Sequence, residues 1–206
     1  DKISLGALDL AIGHTRWATH GKVSEENARP HFDASGSMAV VHNGIIANYS
    51  ALRVELKKRG VPFASETDSE VIVQLISSLY EGDLCKAVQK ALPLLEGAFA
   101  IALIHRSHPD QIVVAARESP LVVGFNDKKT ESIVASDPNA FLGNAFNVFF
   151  LQNDEIANVR KGHVEIFDRT LAPLIKQSER FEISYERPSK EGFEHFMLKE
   201  IYEQPA

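Results

Sequence analysis

The feature that most constrains this chain is its second half. After Gly97, short β-rich runs follow one another at residues 98–104, 111–116, 121–125, 132–135, 148–151, 156–159 and 164–167. Each is rich in Val, Ile, Phe and Ala and too short for a typical helix. Turn chemistry separates them at His108-Pro109-Asp110, Asn126-Asp127, Gln152-Asn153-Asp154 and Lys161-Gly162. Parallel strands need long crossover connections, usually helical, and the spacings leave no room for them, so these strands must pair antiparallel. Ser136-Asp137-Pro138 predicts one short helix among them, with proline in its first turn.

The first half reads differently. Met38 to Val41 is an apolar strand ending at His42-Asn43-Gly44, where Asn-Gly predicts a tight turn. Three helices should follow. Residues 48–59 place Leu52 and Leu56 on one face, with Asn48 as cap and Gly60 as stop. A second helix starts at Thr67-Asp68-Ser69-Glu70, where Thr67 and Glu70 have capping-box spacing. A third spans about 83–95 with Leu84, Val88, Leu92 and Leu95 inward, and Pro93 distorts its end. Residues 185–192 read as a polar connector and 193–204 as a final helix. Helices packed outside stacked antiparallel sheets make an α+β fold.

Composition excludes several functions. The 206 residues are 44% hydrophobic and 24% charged, values of an ordinary globular protein. No apolar run is long enough to cross a bilayer as a helix, and the first residues do not resemble a signal peptide. A net charge of -6 argues against a general nucleic-acid binder. The single cysteine, Cys85, cannot form an intrachain disulfide, so a reducing, cytoplasmic setting is expected. Next to Leu84 and Val88, without an evident base, Cys85 reads as a packed small residue in the middle of a helix. The sequence has no phosphate-binding loop, no dinucleotide fingerprint and no zinc pattern. His14, His20, His31 and His42 cluster early, but their spacing matches no standard ligand motif, so hydrogen-bonding roles are expected rather than a metal or cofactor.

Chemistry-bearing residues concentrate at Gly13-His14-Thr15-Arg16-Trp17-Ala18-Thr19-His20-Gly21. The planar fork of Arg16 matches a carboxylate at two points, and Thr19 and His20 add polar contacts. Asn43 and Gly44 can form a turn or, alternatively, an oxyanion hole in which a side-chain amide and a close backbone N–H meet one developing charge. Asp68 can complement a helix N-terminus, hold a substrate ammonium, or do both.

Four blocks in order, H-T-R-W-A-T-H-G, S-E-E-N-A-R-P-H, V-V-H-N-G-I-I-A-N-Y and S-E-T-D-S-E-V-I, resemble the glutaminase domains of the glutamine–fructose-6-phosphate aminotransferase family. These are class II glutamine amidotransferases of the N-terminal-nucleophile hydrolase type. The closing H-F-M-L-K-E-I-Y-E-Q-P resembles the junction with the family's sugar-isomerising half. The resemblance covers essentially the whole chain. It implies a four-layer αββα sandwich, with residues 1–184 as the glutaminase domain and 185–206 as connector and start of the isomerase domain. Arg16 and Thr19 would bind the L-glutamine carboxylate, Asp68 its ammonium, and His20 would line the pocket. Asn43 and Gly44 would form the oxyanion hole, and Trp17 would gate ammonia on a loop over the substrate. The implied role is to supply ammonia for glucosamine 6-phosphate formation. The implied partners are the isomerising domain and further copies of the parent, with no nucleic acid, membrane, metal or cofactor.

The sequence departs from that pattern at one point. The family's nucleophile is an N-terminal cysteine, and no cysteine precedes His14. The expectation is a domain lacking its N-terminal segment, able to bind glutamine at best. A glutaminase domain of another class II amidotransferase, such as the purine-pathway phosphoribosyl enzyme, is a second reading, which the Trp-Ala-Thr-His-Gly run and the closing segment disfavour. A non-catalytic binding fragment and a histidine-based metallohydrolase are the others.

Overall fold

The computed structural model describes residues 9–16, 21–141, 145–181 and 190–204. In chain order the elements are β1 (His31–Phe32), β2 (Met38–Gly44), α1 (Tyr49–Lys58), α2 (Asp68–Ser78), α3 (Leu84–Ala91), β3 (Phe99–His105), β4 (His108–Arg117), β5 (Val122–Asn126), β6 (Ser132–Ala135), β7 (Phe146–Phe150), β8 (Ile156–Arg160), β9 (His163–Phe167), β10 (Glu179–Phe181) and α4 (Phe196–Glu203). Short 3-10 turns lie at Leu92–Leu94 and Pro138–Phe141. One sheet has the order β1-β2-β3-β4-β8-β9 and the other β10-β7-β5-β6. Every described strand pair is antiparallel, as the short connections require. The fold is α+β.

Period-two alternation splits the core between the two faces of the larger sheet. Met38, Val40, Phe99, Ile101, Leu103, Val113, Ala115 and Ile156 pack against the helices. Val41, Ala100, Ala102, Val114, Ala116 and Ala157 face the second sheet and meet Leu121 and Val123 there. Small residues dominate this second set, which lets the sheets approach closely. Val122, Phe146 and Val148 turn to the outer face of the second sheet, where Phe141 of the 3-10 turn covers them. Three of the expected layers are therefore described as helices, sheet and sheet. Over the fourth face the described cover is that 3-10 turn.

Several local expectations are corrected. His42-Asn43-Gly44 is not a tight turn, because β2 runs straight through Gly44, which pairs with Phe99. Gly44 has φ of +116°, and the chain leaves it alongside residues 96–98, with Ile45 N–H donating to Ala98 O and Ala47 N–H to Glu96 O. Pairing with β3 thus overrides the turn preference of Asn-Gly. His108-Pro109-Asp110 opens β4 instead of separating strands, and the turn sits at Arg106-Ser107. Proline is tolerated at the start of a strand. Asn48 precedes α1 but does not cap it with its side chain. That amide donates to Leu94 O and accepts from Glu96 N–H. Cys85 is not mid-helix but the second residue of α3.

The starts of α2 and α3 lie where expected, but only half of the Thr67/Glu70 capping box forms, because the Glu70 carboxylate bonds the Ala64 and Ser65 N–H groups and the Thr67 N–H goes to Ser65 Oγ. Thr67 Oγ1 accepts the Glu70 N–H, and Asp83 Oδ1 accepts the Lys86 N–H. The third helix gives way at Ala91 to the 3-10 turn containing Pro93. The final helix, expected over 193–204, is α4. Residues 185–189 of the connector lie outside the described residues.

Candidate active site at the junction of β2 and α2

The end of β2 meets the start of α2. Asp68, the first residue of α2, is wholly buried, and its Oδ2 accepts the Ile46 N–H at 3.0 Å. That bond ties Asp68 to the segment two residues beyond Gly44. A carboxylate at a helix N-terminus is favoured by the helix dipole. Asn43 stands exposed at the strand end, and Gly44 is half-buried. A Cβ on Gly44 would clash with the carbonyl oxygen of Ala98, so only glycine fits.

A buried polar layer supports this junction. Alternation along β2 points His42 toward the helices, where its Nδ1 lies 2.9 Å from Ser69 Oγ. Arg29 donates to the same Ser69 oxygen from Nε at 2.9 Å and Nη2 at 2.6 Å. His31 Nε2 lies 2.9 Å from Thr67 Oγ1. Glu70 turns back to accept the N–H groups of Ala64 and Ser65, each at 2.7 Å, and the Ser65 hydroxyl. Arg53 donates to the carbonyls of Ser65 and Thr67. Most of the polar groups that α2 brings inside find partners in this network, while His42 Nε2 and Arg53 Nε are buried without a hydrogen-bond partner among the described residues.

The electrostatics follow from burial. Desolvation lowers His42 to about 4, reinforced by Arg29, His14 and His31 and opposed by Asp68. Desolvation likewise lowers His31 to about 4, with Glu70 opposing it. His14 is lowered by burial and then by Arg29 and Arg16. Both buried histidines are therefore neutral at pH 7.

Arg16 is half-buried with φ of +38°, a conformation uncommon for a residue other than glycine. Its N–H donates to His14 Nδ1 at 2.7 Å. Burial lowers the Arg29 guanidinium below its ordinary value, with Asp68 raising it and Arg16 lowering it. Arg16, Arg29 and Asp68 thus share one electrostatic neighbourhood. Asn43, with Gly13 and His14, also lines a cavity of about 270 Å³ between the sheets, and Arg16, Gly44 and Asp68 are not among its lining residues. Trp17, Thr19 and His20 lie outside the described residues.

Sequence reasoning did not find Arg29 or Ser69, because they acquire meaning only through partners distant in the chain. His31 and His42 were expected in hydrogen-bonding roles, and the structure gives them those roles. Among the described residues, no three His, Cys, Asp or Glu side chains converge as metal ligands. Among the described residues, too, no helix is long and apolar enough to cross a membrane.

Comparison with known proteins adds independent information. A family model described as a glutamine amidotransferase domain matches residues 14–143. Glutamine–fructose-6-phosphate aminotransferases (isomerizing) from Aquifex aeolicus and Fusobacterium nucleatum are 48% and 41% identical over 94% of this chain. The one from Symbiobacterium thermophilum is 46% identical over 95% of it. The chain spans about a third of the length of these relatives, 32% in each case. Among solved structures, the glutamine phosphoribosylpyrophosphate amidotransferase from B. subtilis, complexed with ADP and GMP, aligns with a TM-score of 0.63 at 24% identity. That alignment covers 78% of this chain and 35% of the other. A structure titled as the allosteric regulatory enzyme of purine biosynthesis aligns with a TM-score of 0.59 at 22% identity, covering 71% and 32%. Similarity at this level shows a shared fold, and the family assignment rests on the sequence match across residues 14–143: the chain belongs to the glutamine amidotransferase domain family.

Proposed function

We propose that this chain is the glutamine-binding domain of an aminotransferase that makes glucosamine 6-phosphate from fructose 6-phosphate. Residues 1–184 form the glutaminase domain, and 185–206 lead into a sugar-isomerising half. The observation that carries this reading is the 3.0 Å bond from the Ile46 N–H to Asp68, which couples a buried carboxylate to the strand end bearing Asn43 and Gly44. Identities of 41–48% to the named aminotransferases favour it over a purine-pathway assignment.

In this reading Arg16 and Thr19 hold the glutamine carboxylate and Asp68 its ammonium, with His20 against the same ligand. Opposite charges at fixed positions select a zwitterion, because a ligand lacking one charge leaves a protein charge without its partner. The side-chain amide carbon is the electrophile. A thiolate adds to it, and the resulting oxyanion rests on the Asn43 amide and the Gly44 N–H. The C–N bond then breaks, the nitrogen takes a proton and leaves as ammonia, and water cleaves the thioester to glutamate. Trp17 closes over the site so that ammonia leaves uncharged toward the sugar. The parent works in the cytoplasm as a homo-oligomer.

Cys85 does not supply the thiol. Burial pushes it up to about 12, and it lines a cavity under α3. The attacking thiol is assigned to no residue of the 206, so the expected behaviour is binding without turnover. Titration calorimetry should show saturable L-glutamine binding that Asp68→Asn weakens by more than about tenfold, the loss of one charged contact. Ammonia release should stay at the no-protein rate. Unchanged affinity in Asp68→Asn would remove Asp68 from the ammonium role, and turnover would overturn the assignment of the thiol.

A further inference from the structure

The helix-facing side of β4 and β8 changes character along its length. Val113, Ala115 and Ile156 belong to the apolar core beneath the helices. Alternation places Gln111 and Asn158 on that same face, with Asn158 directly opposite Val113. Both are buried, at 6% and 7% exposure. The first turn of α3 brings Cys85 over them, and Phe167 and Leu171 add apolar walls around a cavity of about 390 Å³. This cavity lies toward the His105–His108 end of the larger sheet, whereas Asn43 and Gly44 lie toward the Phe99–Arg117 end.

The two carboxamides have hydrogen-bonding capacity to spare. Asn158 Nδ2 donates to Glu165 Oε2 at 2.9 Å, but Asn158 Oδ1 is buried without a partner among the described residues. Gln111 Nε2 donates to Cys85 Sγ at 3.8 Å, and a thiol is a weak acceptor. That oxygen is closed off from the cavity, so a ligand there is met by the second Nδ2 hydrogen of Asn158 and by the Gln111 carboxamide. Asp83 and Arg160, opposite in sign and each about half exposed, sit at the cavity, and Glu165, bonded to Asn158, adds a second negative charge beside it that disfavours an anion.

We propose that this cavity is a second binding site, for a neutral polyhydroxylated molecule of monosaccharide size, read by Asn158 and Gln111. Asn158 donates and the Gln111 carboxamide both donates and accepts, which is what neighbouring hydroxyl groups require. Phe167 and Leu171 give the C–H face of a sugar ring an apolar surface. The volume is at the lower end of small-molecule sites, which span roughly 300–1,000 Å³. The proposal stands whether or not the chain binds glutamine.

The probes are D-glucose and N-acetyl-D-glucosamine, with glucose 6-phosphate as the charged comparison, titrated into the ¹⁵N-labelled 206-residue chain. The side-chain NH₂ signals of Asn158 and Gln111 should shift saturably with at least one neutral sugar, and glucose 6-phosphate should bind more weakly than glucose. Cys85 is the chain's only thiol, so its alkylation by iodoacetamide is a second readout and should slow as the sugar saturates. Asn158→Leu should weaken binding about tenfold, the equivalent of one lost hydrogen bond. If that variant does not fold, Gln111→Leu provides the same comparison. The proposal is overturned if neither sugar shifts the two signals saturably, if alkylation of Cys85 is unchanged at saturation, or if the folded leucine variant binds as the parent does.

Discussion

Ser69 Oγ lies 2.9 Å from His42 Nδ1 in a region where His42 is wholly shielded from solvent. The same oxygen receives two N–H bonds from Arg29. A guanidinium only donates, so the hydroxyl accepts from Arg29 and gives its single proton to His42 Nδ1. His42 therefore carries its own proton on Nε2. Ser69→Ala removes the shared partner of a buried cation and a buried imidazole. It should destabilise the domain by about 2–3 kcal/mol in urea denaturation. Nitrogen chemical shifts of His42 should report an unprotonated Nδ1 in the parent chain.

Stability should fall as the solution is acidified. His31 and His42 have an ordinary value of 6.5 when unfolded and about 4 when folded. Above 6.5 both states hold them neutral. As pH drops from 6.5 toward 4, the unfolded chain binds protons that the folded chain refuses, so the stability present above 6.5 is lost across that window. Each histidine contributes on the order of 2–3 kcal/mol to the loss. Denaturation midpoints from pH 7.5 to 4.5 should show this slope, and it should be shallower in His42→Asn.

Gly44→Ala is expected to cost about 3 kcal/mol or more. The φ of +116° is strained for any other residue, and the added methyl would meet the Ala98 carbonyl. A thermal melt of the variant close to that of the parent would show that β2 and the 96–98 segment can separate without penalty.

Arg117 fastens the end of β4 to the helical layer. Its guanidinium pairs with Asp154 at 2.7 Å, donates to the carbonyls of Leu92 and Leu95, and lies over the Phe99 ring. Lysine keeps the charge but not the fork, so Arg117→Lys should lose about 1–3 kcal/mol in chemical denaturation. Full retention of stability would mean that a single point charge suffices there.

The proposed ammonium role of Asp68 can be separated from general damage by ligand choice. Glutaramic acid, which is glutamine without its α-amino group, should bind the parent chain more than about tenfold more weakly than L-glutamine. Asp68→Asn should erase most of that preference. Calorimetry on the four combinations gives the coupling directly, and a preference that survives the substitution would place the ammonium contact elsewhere.

Much of the fold is legible in residue patterns because backbone pairing and burial act locally along a strand. The alternation of Val40 with Val41, and of Val113 with Val114, assigns faces before any partner is known. Thr67 and Asp83 mark helix starts because their oxygens reach an N–H three residues on. The family is readable for a related reason, since Arg16, Asn43, Gly44 and Asp68 sit in contiguous blocks. The two-residue β1 and three-residue β10 carry no such signal, being too short for periodicity to show. Asn43-Gly44 misleads because its local preference for a turn is weaker than the pairing that β3 offers.

The chain's own order of residues determined an α+β architecture, antiparallel sheets, the helix starts and the membership of an amidotransferase family. Tertiary structure alone decided that Arg29, Ser69 and His42 form one buried chain of hydrogen bonds, although 40 and 27 residues separate their pairs. It also decided that Asp68 anchors the strand exit and that Gln111 and Asn158 share a cavity with Cys85. The physical reason is that hydrophobic periodicity and capping act between near neighbours in the chain, whereas the pairing of buried polar groups depends on which distant segments packing brings within 3 Å or so of each other.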